Sequence, residues 1–155
     1  MTGTVINTPA GTPFVEVTRE FAATPAQLFK IMTDRDLVAE WLGPRNLDAT
    51  IEEYDVRPGG TYRYIHRDDS GEYAFRGVFH TVEQDKLVIQ TFEWEGAPGE
   101  VCLEKMTLEP TENGVRLHQQ SVFPSVGARD QSIEYGMENG INDSMDRLAE
   151  LLAKS

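Results

Sequence analysis

From Phe14 to Phe21 apolar and polar residues alternate, with Val15, Val17 and Phe21 on one face at period two. That spacing predicts a half-buried strand with Arg19 as the polar member of its inward row. A buried guanidinium needs an acid, and Glu53 or Asp55 is the expected partner. The period then changes. Thr24-Pro25-Ala26-Gln27 supplies an N-cap hydroxyl, a proline at the first helical position and the glutamine of a capping box. Leu28, Phe29, Ile31 and Met32 form the buried side of the helix that follows. Asp34 caps a second short helix, which carries Leu37, Val38, Trp41 and Leu42 and stops at Gly43-Pro44.

From residue 47 onward extended segments alternate with turn signals. Strands are expected over 47–56, 61–67, 73–82, 86–94, 101–109 and 115–123. Arg57-Pro58-Gly59-Gly60 suits a type II turn, and Glu112-Asn113-Gly114 is a hairpin signal. One long helix, 128–153, ends the chain, with Ile133, Met137, Ile141, Met145, Leu148 and Leu152 in a stripe of three- and four-residue steps. The fold class is therefore α+β. A bent antiparallel sheet of seven strands, in the order β-α-α-β6-α, closes around the last helix. Residues 1–13, rich in Thr, Gly and Pro, read as a flexible lead-in, and 14–155 as one domain.

The last helix is not uniform. Gly136, Gly140 and Ser144 make a small-residue stripe in its first half, either for close backbone packing or to leave a void there. Tyr62, Tyr64 and His66 share a face of strand 61–67, and Phe79, Trp94, His118 and Gln120 lie on neighbouring strands. Aromatic side chains mixed with a few polar tips suit a small-molecule pocket as well as an ordinary core. The expected walls are Tyr62, Tyr64, Phe79, Trp94, Met137 and Ile141, and the expected polar contacts are His66, His118, Gln120 and Tyr135. Trp41 is expected to dock the helix pair on the sheet, with ligand contact as its alternative role.

Charge narrows the function classes. The chain has 26 acidic residues against 14 Lys and Arg, a formal charge of −12. Such a body repels nucleic acid, and no basic patch offsets it. No apolar run is long enough to span a membrane, and the N-terminus lacks the pattern of a secretory signal. The lone Cys102 sits in an apolar run and reads as a buried structural thiol, which suits a reducing, cytoplasmic setting. His66, His80 and His118 fall on separate strands without metal-ligand spacing, so neither metal nor cofactor is called for. Gly59-Gly60 joins strand to strand and is no phosphate cradle. His66 or Glu93 would serve as a general acid or base if it faced a dry cavity, and no other catalytic group stands out.

Several segments together carry a family resemblance. They are Arg19-Glu20-Phe21-Ala22-Ala23-Thr24-Pro25, Trp41-Leu42-Gly43-Pro44, the run from Asp55 to Tyr62, Arg76-Gly77-Val78-Phe79 and Leu87-Val88-Ile89. Gly136-Met137-Glu138-Asn139-Gly140 and Leu148-Ala149-Glu150-Leu151-Leu152 complete the set. It resembles the START-like (SRPBCC) helix-grip superfamily, within it the subfamily named for a homologue of the activator of heat-shock protein 90 ATPase. The resemblance implies a sheet gripping the C-terminal helix, with an apolar cavity between them and no shared catalytic residues. Members commonly carry Trp where Ile141 stands and an apolar residue where His66 stands, so the pocket is expected to be reshaped. The leading expectation is a binding protein for a small hydrophobic or aromatic molecule. An enzyme of the cyclase, dehydratase or hydrolase kind using the same cavity is the alternative. A chaperone-associated module is the third, disfavoured because the chain offers one domain and no second partner-binding domain. Edge strands leave homodimer formation open.

Overall fold

The computed structural model describes residues 3–154; residues 1, 2 and 155, which fall in the expected lead-in and at the end of the expected domain, lie outside the described residues. Eight strands form one antiparallel sheet: β1 (Val5–Asn7), β2 (Phe14–Phe21), β3 (Asp48–Tyr54), β4 (Thr61–Asp68), β5 (Gly71–Glu83), β6 (Leu87–Trp94), β7 (Cys102–Thr111) and β8 (Gly114–Val122). Their spatial order is β1-β2-β8-β7-β6-β5-β4-β3, so β3 to β8 form a meander and β2 joins it through β8. Helices α1 (Pro25–Thr33) and α2 (Arg35–Val38) connect β2 to β3, and α3 (Val126–Glu134) and α4 (Met137–Ala153) follow the sheet. This is the helix-grip architecture with one strand more than expected. The extra strand lies in the lead-in: Val5–Asn7 pairs with Glu16–Thr18 of β2. Arg129 of α3, buried to 3% exposure, ties the same segment down through hydrogen bonds to the Pro9 and Phe14 carbonyls.

The helix starts follow from their caps. Thr24 Oγ1 accepts from Gln27 N while Gln27 Oε1 accepts from Thr24 N, the reciprocal capping box. Asp34 caps α2, but the helix stops at Val38, and Trp41 and Leu42 sit in the turns beyond it. Trp41 is nonetheless fixed, because its indole N–H donates to the Ile31 carbonyl at 3.1 Å and so staples this segment to α1.

The expected single C-terminal helix is two helices. Gly136 has φ 90°, a left-handed conformation that breaks the ladder between α3 and α4. Only α4 carries the apolar stripe that fills the sheet, through Met145 and Leu148, in one core cluster with Val15, Phe21, Leu28, Val115 and Leu117. Arg19 pairs at the protein surface with Asp146 of α4 at 2.6 Å, not with Glu53 or Asp55. The reason is topological: β3 lies at the far edge of the sheet from β2. That edge carries a register shift between Ile51 and Glu53 and two exposed glutamates, Glu52 and Glu53. Among the described residues no helix is long and apolar enough to cross a membrane.

Candidate functional site

The core does not fill the space under the first half of α4. A cavity of about 720 Å³ opens there, between the concave face of the sheet, the 41–47 segment and the α3–α4 junction. Sheet periodicity decides which side chains reach it. Tyr62, Tyr64 and His66 of β4, Phe75 and Phe79 of β5, Phe92 and Trp94 of β6 and Met106 of β7 all face inward. Their rings form a belt. Tyr62 stacks on Tyr64 at 6.1 Å between centroids, Tyr64 on Phe75 at 5.3 Å, and Phe75 on Phe92 at 5.3 Å. At one end of the belt Trp94 meets Tyr135 edge-on at 6.1 Å; Tyr135 caps α3 and is 68% exposed.

The small-residue stripe serves the cavity and the neighbouring loop together. Gly136, Gly140 and Ser144 all line the cavity. Ser144 Oγ also accepts from Gly43 N at 2.7 Å, and a Cβ on Gly140 would lie 3.7 Å from Pro44. Close packing is therefore against the 43–44 turn and not against the sheet.

His66 is 5% exposed and packs against Gly43, where a Cβ would come within 2.4 Å of its ring. Gly43 has φ 90°, so both its conformation and the histidine above it exclude a side chain. Burial, helped by the nearby Arg147 guanidinium, pushes the imidazole down to about 4, which keeps it neutral at physiological pH. Its Nδ1 is buried and finds no hydrogen-bond partner among the described residues.

One row of side chains across the sheet was not anticipated. In register, Gln90 of β6 stands opposite Glu104 of β7, and Glu104 opposite Ser121 of β8. Glu104 accepts from Ser121 Oγ at 3.0 Å, from Gln119 Nε2 at 3.3 Å and more weakly from Gln90 Nε2 at 3.5 Å. Gln90 also donates to Tyr62 Oη at 3.3 Å, and that hydroxyl donates onward to the Thr91 carbonyl at 2.6 Å. All of these donors are neutral. Burial consequently outweighs hydrogen bonding and raises the Glu104 carboxyl to about 7.

Of the residues expected at the site, Trp41, Tyr62, Tyr64, His66, Phe79, Trp94, Tyr135, Met137 and Ile141 line this cavity. His118 and Gln120 do not. Val115 and Leu117 are fully buried, so the odd-numbered side chains of β8 face inward, bringing Gln119 and Ser121 to the cavity instead. Gln120 meets Glu16 on the outer face. Glu93, the other conditional acid–base group, is bound by Arg76 and the Gly99 N–H and held below the usual carboxylate range. Cys102 is buried on β7, and burial beside two glutamates pushes its thiol up to about 12, the state of an inert thiol. Among the described residues no group of three or more His, Cys, Asp and Glu side chains is placed to hold a metal ion.

The chain was compared with known proteins. Several solved structures share its fold. A protein from Rhodobacter sphaeroides superposes with a TM-score of 0.89 at 25% identity, over 98% of this chain and 99% of that one. A protein from Arthrobacter aurescens gives 0.89 at 24% identity, over 99% and 94% of the two chains. Ms6760 from Mycobacterium smegmatis gives 0.88 at 22% identity, over 96% of each. No match was found among curated proteins. The model of one family, described as activator of Hsp90 ATPase homolog 1-like protein, matches residues 22–153. With that match spanning nearly the whole helix-grip domain, the chain belongs to the activator of Hsp90 ATPase homolog 1-like family.

Proposed function

We propose that this protein binds a small hydrophobic or aromatic molecule in the cavity between sheet and α4, in the cytoplasm. The observation that carries the reading is the cavity itself: about 720 Å³, walled by a continuous aromatic belt and crossed by one row of polar groups. That volume is in the range of small-molecule sites, and a few fixed polar groups in an apolar wall are what orient a bound molecule. A ligand that buries roughly 400 Å² of apolar surface gains about 10 kcal/mol at about 25 cal/mol/Å². Lost translational and rotational freedom opposes this by at least about 4 kcal/mol, leaving a dissociation constant of roughly tens of micromolar.

The chain has two tryptophans, Trp41 and Trp94, and both line the cavity. Intrinsic fluorescence therefore reports on the site alone. Titration with the neutral dye N-phenyl-1-naphthylamine is expected to quench Trp emission saturably, one dye per chain. Ile141→Trp, which narrows the cavity from α4, is expected to weaken the dye's enhanced emission while circular dichroism stays native. Non-saturating quenching, or dye enhancement undiminished in Ile141→Trp, would show that the cavity is not the binding site.

A second reading, acid–base catalysis, is favoured by Glu104 and not by His66. A carboxyl that titrates near 7 inside an apolar pocket is suited to proton transfer at neutral pH. An enzyme working this way would show turnover with a pH limb near 7 that disappears in Glu104→Gln.

A further inference from the structure

The charge inventory of the cavity is one-sided. Its wall holds two carboxylates, Glu104 in the interior and Asp68 at the rim, and among the described lining residues no Lys or Arg. The Asp68 carboxylate is held below its usual range by Ser70 and the Gly71 N–H, so it is ionised. His66 is neutral for the reasons given above. Arginines on the elements around the cavity spend their hydrogen bonds on other groups: Arg129 on Asp130 and the Pro9 and Phe14 carbonyls, and Arg45 on Glu150. Arg147 donates to the Glu40, Leu42 and Gly43 carbonyls, and Arg19 donates through Nη1 to Thr4 and Asp146, while its Nε is buried without a hydrogen-bond partner among the described residues.

Glu104 thus has hydrogen-bond donors but no counter-charge. Ser121, Gln119 and Gln90 fix the direction of the carboxylate and satisfy its oxygens without neutralising it. A carboxylate in an apolar enclosure is completed by a proton or by a cation, and no described lining residue supplies a cation. The surroundings suit such a guest. Tyr62, Tyr64, Phe75 and Phe92 line the same cavity, aromatic walls attract an ammonium group, and the net charge of −12 draws cations towards the mouth. A ligand carboxylate or sulfonate would meet two carboxyl groups and, among the described lining residues, no Lys or Arg.

Resting on the reading of this cavity as a binding site, we infer that its ligand is a hydrophobic amine, an apolar or aromatic body whose protonated nitrogen pairs with Glu104. The titration of Glu104 fits this role, since an ammonium beside it would draw the carboxyl back down and release its proton on binding.

The test is calorimetric titration of the purified protein with three matched probes: 2-naphthylethylamine, 2-naphthylethanol and 2-naphthylacetate. At pH 8 the amine is expected to bind at least ten-fold tighter than the alcohol, and the acetate weakest of the three. The amine-to-alcohol ratio should collapse towards one in Glu104→Gln. It should also shrink in the wild-type protein at pH 5.5, where Glu104 carries its proton, so the test stands even if the variant folds poorly. At pH 6.5, amine binding measured in two buffers of different ionisation enthalpy should show proton release. Equal binding of amine and alcohol, tightest binding of the acetate, or a preference that survives Glu104→Gln would overturn the amine assignment and leave the cavity as a binding site. Saturation by none of the three would overturn both.

Discussion

Glu104→Gln tests the electrostatics of the cavity without any ligand. Folding carries this carboxyl from its ordinary value of 4.5 to about 7. Between those two pH values the folded protein holds a proton that the unfolded chain has released, so stability falls as pH rises through the window. Below 4.5 both states are protonated and the penalty is absent; above 7 both are ionised and it is complete. At about 1.4 kcal/mol per pH unit the full loss is roughly 3 kcal/mol. Glutamine keeps the shape and the acceptor oxygen for Ser121 and Gln119 but does not titrate. The other titratable groups around Glu104 stay out of this window: Tyr62 and Tyr64 are raised well above 10, and Cys102 is near 12. His66 has the opposite slope. Its folded value of about 4 lies below the ordinary 6.5, so its contribution is lost as pH falls from 6.5 to 4. In the wild type the two slopes oppose each other between 4.5 and 6.5. In Glu104→Gln only the histidine slope remains. Urea unfolding of both proteins from pH 4.5 to 7.5 is the assay. The variant is expected to gain on the wild type by roughly 3 kcal/mol across that range, which at an m-value of about 2 kcal/mol/M moves the midpoint by roughly 1.5 M. A wild-type-to-variant difference that does not change with pH would refute the burial of an unpaired carboxylate.

Three further outcomes follow from named contacts. His66→Gln should remove the acid-side slope, so that between pH 6.5 and 4.5 the variant loses less stability than the wild type in the same urea series. Gly136 and Gly140 should respond in opposite directions to alanine. Gly136→Ala forces a side chain to φ 90° and should lower stability by about 1 kcal/mol, whereas Gly140→Ala sits within α4 with its Cβ at ordinary contact distance from Pro44 and should raise it by up to about 1 kcal/mol. Thermal unfolding of the pair reads both, and a gain at Gly136 would contradict the helix break. Cys102, buried and protonated, should react with a disulfide reagent only at the rate of unfolding; immediate reaction in the native protein would show the thiol to be open.

Much of this architecture is legible along the chain because its signals are local. The capping box at Thr24, the inward pair Val15 and Val17, and the turn residues between strands each fix one element by nearest-neighbour chemistry. The misses are of another kind. Arg19 was expected to pair with Glu53 or Asp55, residues that β-sheet order places at the opposite edge; its partner, Asp146, is distant in sequence and brought near only when α4 docks. The break at Gly136 is hidden because Ile133, Met137 and Ile141 keep helical spacing across it. Val5–Asn7 becomes a strand only because β2 offers an open edge.

The polar row shows where a site can be read and where it cannot. On β8, burial of Val115 and Leu117 assigns the odd positions to the interior, so parity alone selects Gln119 and Ser121 and leaves His118, the chemically richer residue, on the other face. On β7, Cys102, Met106 and Leu108 are buried on the same parity as Glu104. An acid in such a row is the signal of a carboxyl facing inward, and it is present in the sequence. What the sequence does not contain is the charge balance. No described lining residue brings a cation to Glu104, and Arg19 and Arg147 direct their hydrogen bonds to α4, the N-terminal segment and the 40–43 turn. The absence of Lys and Arg from the described lining residues is thus a consequence of tertiary packing, and on the inference above it is what selects a positively charged ligand.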